Sequence, residues 1–427
     1  MRRIPVLGWA VLLGCLTIAC GGGGSGSSSD AATPNGGTPG TPSTVPAAVT
    51  PTLVDMGIAD YSNGAKGPFA RNPWDMTYFG GRVYVGQGNS DNDGSPDGNA
   101  GPMKIVSFVP GTTGFRYEGH GTSSTLPEEQ IDVIKVIDGS LYIPGHDPRL
   151  DWTIRTVYKL TDAGSTWQQY QSTNATAGDS WGTHCYDILG FNGKLFSCGT
   201  NYGVSEDGGK TWAYAGVCAR ATALLMVRGK LFGVDSTFAQ VDEYNASTGM
   251  FELRSGYFEK LIPNCQITNT AATIKVVRPA FIGTSALYLV GYDSSDHQTA
   301  TLDVYLARSF EKDAFDVVRT TPSGERPWDL LVRGSVPYLL TSQKTGTGAD
   351  ERFTLTIWKG TTDLTGWTVL YQFPGQKTFA RSFEEVNGYF YLGLGTDDGA
   401  AYETYDVPYT TGIKADSGRI LWVKTHG

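Results

Sequence analysis

Five arginines stand shortly before apolar, strand-like runs: Arg71, Arg220, Arg278, Arg326 and Arg381. Guanidinium groups hold carboxylate, sulfate or phosphate through paired, coplanar hydrogen bonds. If the five converge, they form an anion site, and Trp74 and Trp152 add flat faces on which a sugar ring can stack. His184, His146, Tyr202 and Glu129 stand in comparable loops and supply groups for general acid–base work. A plainer use of the same arginines is pairing with nearby acids such as Asp75, Asp329 and Glu384. Asp91, Asp93 and Asp97 crowd one turn-rich stretch and offer hard oxygen ligands for Ca²⁺, though the glutamate that completes an EF-hand is missing. A solvated loop is the alternative there.

What would bring these residues together is a repeated strand–turn–strand unit. It reads 74–85, with Gly80-Gly81 at its turn, then 133–143 with Asp138-Gly139, then 188–196 with Asn192-Gly193. Further copies turn near Gly229, Ser285, Gly334 and Gly388. Asp-Gly and Asn-Gly between apolar runs are strong hairpin signals, because both positions of a type I′ turn need positive φ. Each copy is followed by two more strand-like runs. The pattern predicts an all-β chain of about seven four-stranded blades, a β-propeller. The final unit offers only three strands, Ser382 to Val386, Tyr389 to Leu394 and Arg419 to Val423, so Thr52 to Asp60 is expected to complete it as its outer strand. Such closure removes an open sheet edge. In this architecture the loop leading into each innermost strand and the loop after the second strand open on one face. That face gathers the arginines round the axis.

Two later turns carry a more specific mark. Ser205-Glu206-Asp207-Gly208-Gly209-Lys210-Thr211-Trp212 resembles the Asp box of sialidase-type (BNR) repeats. Asp162-Ala163-Gly164-Ser165-Thr166-Trp167 is similar, with Leu160 where the box has Ser. The resemblance implies a hairpin between the third and fourth strands of a blade, with Asp and Thr bonding the turn and Trp packed between blades. It implies structure, not catalysis. Phe69-Ala70-Arg71-Asn72-Pro73 is faintly similar to the opening motif of sialidases, which use three arginines on a carboxylate. Propeller polysaccharide lyases instead use His, Tyr and an Arg that neutralises a uronate, parts open to His184, His146 and Tyr202. The expected function is binding of an anionic glycan at the Arg-rich face. Cleavage by a sialidase-like hydrolase or a uronate lyase is one form of it. A noncatalytic surface propeller that binds glycan or protein is the alternative.

The N-terminus begins Met1-Arg2-Arg3, continues apolar to Ile18 and reaches Leu16-Thr17-Ile18-Ala19-Cys20 before a glycine run. This resembles a bacterial lipobox, which implies lipidation at Cys20. Leu12-Leu13-Gly14-Cys15 is a second candidate, and an ordinary secretory signal is the other reading. The expected organisation is a signal peptide over 1–20, a Gly/Ser/Thr/Pro tether over 21–51 reaching on the order of 30 Å, and a propeller over 52–427. The protein would be displayed on the outer membrane or cell surface, otherwise secreted, and would meet a membrane through its lipid alone. A net charge of -9 argues against a nucleic-acid partner. No cofactor beyond the Ca²⁺ is expected. The chain has 6 cysteines and no Cys-x-x-Cys. Cys218 and Cys265, each in or beside a loop, are the expected disulfide.

Overall fold

The structure, a computed structural model, describes residues 51–59, 72–88, 102–145, 151–176, 178, 181–182, 184–263, 273–293, 303–311, 314–322, 325–395 and 416–424. Among them the strands form seven four-stranded antiparallel sheets, each built from consecutive strands except the last. The inner strands are Pro73–Phe79, Lys135–Ile137, Asp187–Phe191, Ala221–Val227, Thr273–Ile282, Arg326–Arg333 and Ala380–Val386, numbered here as blades 1 to 7. Each packs on the inner strand of the next blade, and that of blade 7 packs on that of blade 1. The result is a closed seven-bladed β-propeller. Thr52–Ile58 is the outer strand of blade 7, paired with Arg419–Lys424, as the strand count requires.

The inner hairpins turn where the sequence places them. Asp138 and Gly139 take φ of 46° and 74°, and Asn192 and Gly193 take 50° and 74°. Both turns need two successive residues in the left-handed region, where Asn, Asp and Gly are tolerated best.

Both faces of every blade are covered, so the core is divided into wedges. Seven clusters of buried apolar residues each span one blade-to-blade interface. The Asp-box turn belongs to one of them. Asp207 accepts the Thr211 N–H at 2.9 Å and its hydroxyl at 2.7 Å, which leaves Trp212 packed between blades 2 and 3. In the degraded copy, Trp167 enters the wedge between blades 1 and 2 and donates to Glu118 Oε2 at 2.9 Å.

Polar side chains clasp neighbouring inner strands together. Asp75 Oδ2 accepts the Ile134 N–H at 2.7 Å, and Asp187 Oδ2 accepts that of Leu224 at 2.9 Å. Asp329 Oδ2 accepts the Phe383 N–H at 3.1 Å. Glu384 Oε2 accepts that of Tyr78 at 2.6 Å, across the closing interface. Each acid thus reaches one blade forward and satisfies a backbone donor that the sheets leave at the axis.

Candidate functional site

The inner strands share an irregularity that decides what faces the axis. In five of the seven described blades the ladder between first and second strands slips, leaving Trp74, Thr222, Arg278 with Pro279, Trp328 and Arg381 unpaired. A β-bulge re-aims the side chain of its extra residue. All of these residues line one axial cavity of about 880 Å³. Arg278 carries the distortion in its backbone, with φ at 54°.

At the mouth the bulged residues form a ladder of rings and guanidinium groups. The Arg381 guanidinium lies 3.9 Å over Trp74 and 5.7 Å from Trp328. Arg326 lies 4.0 Å over Trp328, and Trp328 stacks on Phe379 at 3.9 Å. The indoles are fixed in turn: Trp74 Nε1 donates to the Gly88 carbonyl at 2.8 Å, and Trp328 Nε1 to Ser342 Oγ at 2.6 Å. A guanidinium held face-on to a ring directs its N–H groups outward in the plane parallel to that ring.

The opposite wall comes from blades 3 and 4. His184 stacks on Tyr186 at 5.5 Å, and Arg220 Nε donates to Tyr186 Oη at 2.6 Å. Lys275 of blade 5 also lines the cavity. The mouth therefore carries positive charge from blades 4, 5, 6 and 7.

Deeper in the channel the sign reverses. Arg278 there donates to the backbone carbonyls of Trp74 and Asp132 and lies 3.7 Å from Asp75 and 3.9 Å from Asp329. Burial pushes the Asp75 carboxyl up to about 6 and that of Asp329 up to about 7, outweighing the pull of Arg278. Lys135 pairs with Asp187 at the same level.

The expected site residues separate accordingly. Trp74, His184, Arg220, Arg326 and Arg381 line the mouth together. Arg278 also lines the cavity but serves as its inner plug, the structural use open to these arginines from the start. Trp152 lies outside the cavity lining, 52% exposed, on the loop after the second strand of blade 2. Tyr202 is removed from the site altogether. It lies within the third strand of blade 3, fully buried between blades 3 and 4, with its hydroxyl on Asp242 Oδ2 at 2.8 Å. Glu129 is also turned away. Its loop is strapped to the second strand of blade 1 through the Gly88–Gln130 bridge, and it is buried outside the cavity lining. Cys218 has a free thiol that donates to the Gly199 carbonyl at 3.1 Å, contrary to the expected disulfide. Arg71, His146, Asp91, Asp93, Asp97, Cys20 and Cys265 lie outside the described residues.

Sequence reasoning missed Tyr186, Lys275 and Phe379. It also passed over a usable signal: Pro-Trp-Asp occurs at both 73–75 and 327–329, marking a bulged tryptophan followed by an axial acid.

Fold and site together define a seven-bladed propeller with a cationic, aromatic channel mouth. No protein-family model matches the chain, and no curated protein matches it. Solved structures similar to it include hydrazine synthase of Kuenenia stuttgartiensis, at 10% identity and TM-score 0.48 over 79% of this chain and 96% of that one. Sqt1 of Chaetomium thermophilum matches at 11% identity and TM-score 0.44, over 88% and 100%. A proposed 6-phosphogluconolactonase of Bacteroides fragilis matches at 12% identity and TM-score 0.42, over 83% and 90%. Likeness this distant says nothing of activity, and the propeller assignment stands on strand pairing and ring closure.

Proposed function

We propose that the channel mouth binds a carboxylate-bearing saccharide on a propeller displayed at the cell surface by a lipid anchor. The observation that carries this reading is the placement of Arg381 between the rings of Trp74 and Trp328. A stacked guanidinium offers its edge to a planar carboxylate, and the indole faces suit the apolar face of a sugar. The cavity is of the size that encloses small ligands. Calorimetric titration of the protein with galacturonate and with galactose tests it. Binding of the acid and not of the neutral sugar is expected. Equal affinity for both would remove the carboxylate from the reading.

One grouping favours a second reading, cleavage by uronate elimination. His184, Tyr186 and Arg220 stand together on one wall. A base there would take the proton beside the uronate carboxylate. The carbon–oxygen bond to the leaving sugar would break as the ring double bond forms, and a proton would return to the leaving oxygen. Arg220 would stabilise the charge that builds on the carboxylate. Ultraviolet absorbance of an unsaturated uronate, lost in His184→Ala, is the expected sign. Hydrolysis draws less support, because Asp75, Asp187 and Asp329 are engaged in the inter-strand clasps.

A further inference from the structure

We propose that Arg220 and Phe238 form a second subsite beside the mouth, so that the ligand is a chain of acidic sugars and not a single one. This rests on the reading of the mouth as a site for acidic saccharide. Phe238 is 64% exposed on the loop after the second strand of blade 4, which opens on the same face as the mouth. A lone exposed phenyl is ordinary; this one sits on a turn built to hold it still. The fully buried carboxylate of Asp235 joins two loops. Its Oδ2 accepts the N–H groups of Ala219 and Arg220 at 2.6 and 3.3 Å, and its Oδ1 those of Thr237 and Phe238 at 2.8 and 3.3 Å. The Ser236 N–H closes the unit on the Arg220 carbonyl at 3.0 Å. One acid thereby ties the backbone of Arg220 to that of Phe238 across two neighbouring loops of blade 4.

That pair matches the chemistry of a uronate: a carboxylate for Arg220 and a face of C–H bonds for Phe238. Blade 2 presents the counterpart. Trp152 is exposed on the equivalent loop, its carbonyl accepting the Gly182 N–H at 2.7 Å and the next residue braced by Asp151. In ring order the face then carries Trp152 on blade 2, His184 and Tyr186 on blade 3, and Arg220 with Phe238 on blade 4. A polyanionic chain laid along this arc meets a ring, the wall of the channel and a second ring in turn. Its repeated negative charge complements the mouth cations.

The full chain would be titrated calorimetrically with galacturonate and with its linear hexamer. The hexamer should bind at least about tenfold more tightly, one good aromatic contact being worth roughly that factor. Phe238→Ala should remove most of the gain and leave monomer affinity unchanged, while Phe238→Tyr restores it. Equal affinity of the native protein for monomer and hexamer would overturn the second subsite and leave the mouth standing. So would an equal loss for both ligands in Phe238→Ala. Failure of the folded protein to bind either ligand would sink the mouth reading, and this one with it.

Discussion

The guanidinium of Arg381 lies 3.9 Å above the indole of Trp74, so the last inner strand meets the first at the mouth of the channel. Both residues are the extra residues of β-bulges, and neither would reach the other from a regular ladder. Arg381→Ala should weaken galacturonate binding by at least about tenfold, the order lost with one charge-assisted contact. Arg381→Lys should recover little of it, since an ammonium neither stacks flat nor binds a carboxylate with two parallel bonds. Titration of the two variants beside the native protein checks this.

Arg278 should behave differently from Arg381. It pairs with Asp75 and Asp329 within the channel, and its loss takes that cation away from two buried acids. Arg278→Ala is expected to cost about 3–5 kcal/mol of stability. Adding Asp75→Asn and Asp329→Asn should return part of that. Urea unfolding of the single and triple variants measures both effects. A fully stable Arg278→Ala would contradict the plug.

The same acids set a pH dependence. Burial raises Asp75 to about 6, Asp329 to about 7 and Glu384 to about 7, all above the usual carboxylate range. The folded state then holds protons that the unfolded chain releases near pH 4. The stability these groups contribute is complete below that point and is lost as pH rises through about 6 to 7. Thermal unfolding should therefore show higher stability at pH 5 than at pH 8. Asp329→Asn, which keeps an acceptor for the Phe383 N–H, should flatten that slope.

Tyr202→Phe should affect folding and spare the mouth. The substitution removes the hydroxyl that donates to Asp242 at 2.8 Å in a buried wedge. A loss of about 1–3 kcal/mol is expected from stranding that carboxylate. Affinity for galacturonate should be unchanged. A selective loss of binding with normal stability would place Tyr202 in the site after all.

The blades were legible in the sequence because their turns are chemically explicit. Asn192-Gly193 and Asp138-Gly139 name a backbone conformation that few other residues accept. Ring closure followed from counting strands, since a three-stranded last unit needs one more. The site was only half legible. Arg326 and Arg381 stand at the start of their inner strands, just ahead of the apolar runs that sequence spacing reveals. The bulges that turn Arg381 and the tryptophans inward depend on how one strand pairs with the next, which no local signal states. Tyr202 was misplaced for a related reason. One residue's shift in the start of a strand moves a side chain from a loop to a core face. Tyr186, one residue before its inner strand, took the place expected of Tyr202. Phe238 carried no motif, and only the grip of Asp235 on two loops gives it meaning.

The pairing of Thr52 with Lys424 and Ile58 with Arg419 also orders events in time. Blades 1 to 6 each draw their strands from one continuous stretch and can stack as they emerge from synthesis. Blade 7 cannot gain its rim until residues some 370 positions apart meet (424 − 52), a slow step for any chain. Until then an unfinished ring shows two raw wedge faces, those of blades 1 and 7, which are sticky to each other and to neighbouring molecules. The contact of Arg381 with Trp74 and the clasp of Glu384 on Tyr78 cross the same junction of blades 7 and 1 and need it closed. The Arg381–Trp74 side of the mouth therefore exists only in the closed ring, and a chain stalled short of closure would carry every blade and half a binding site.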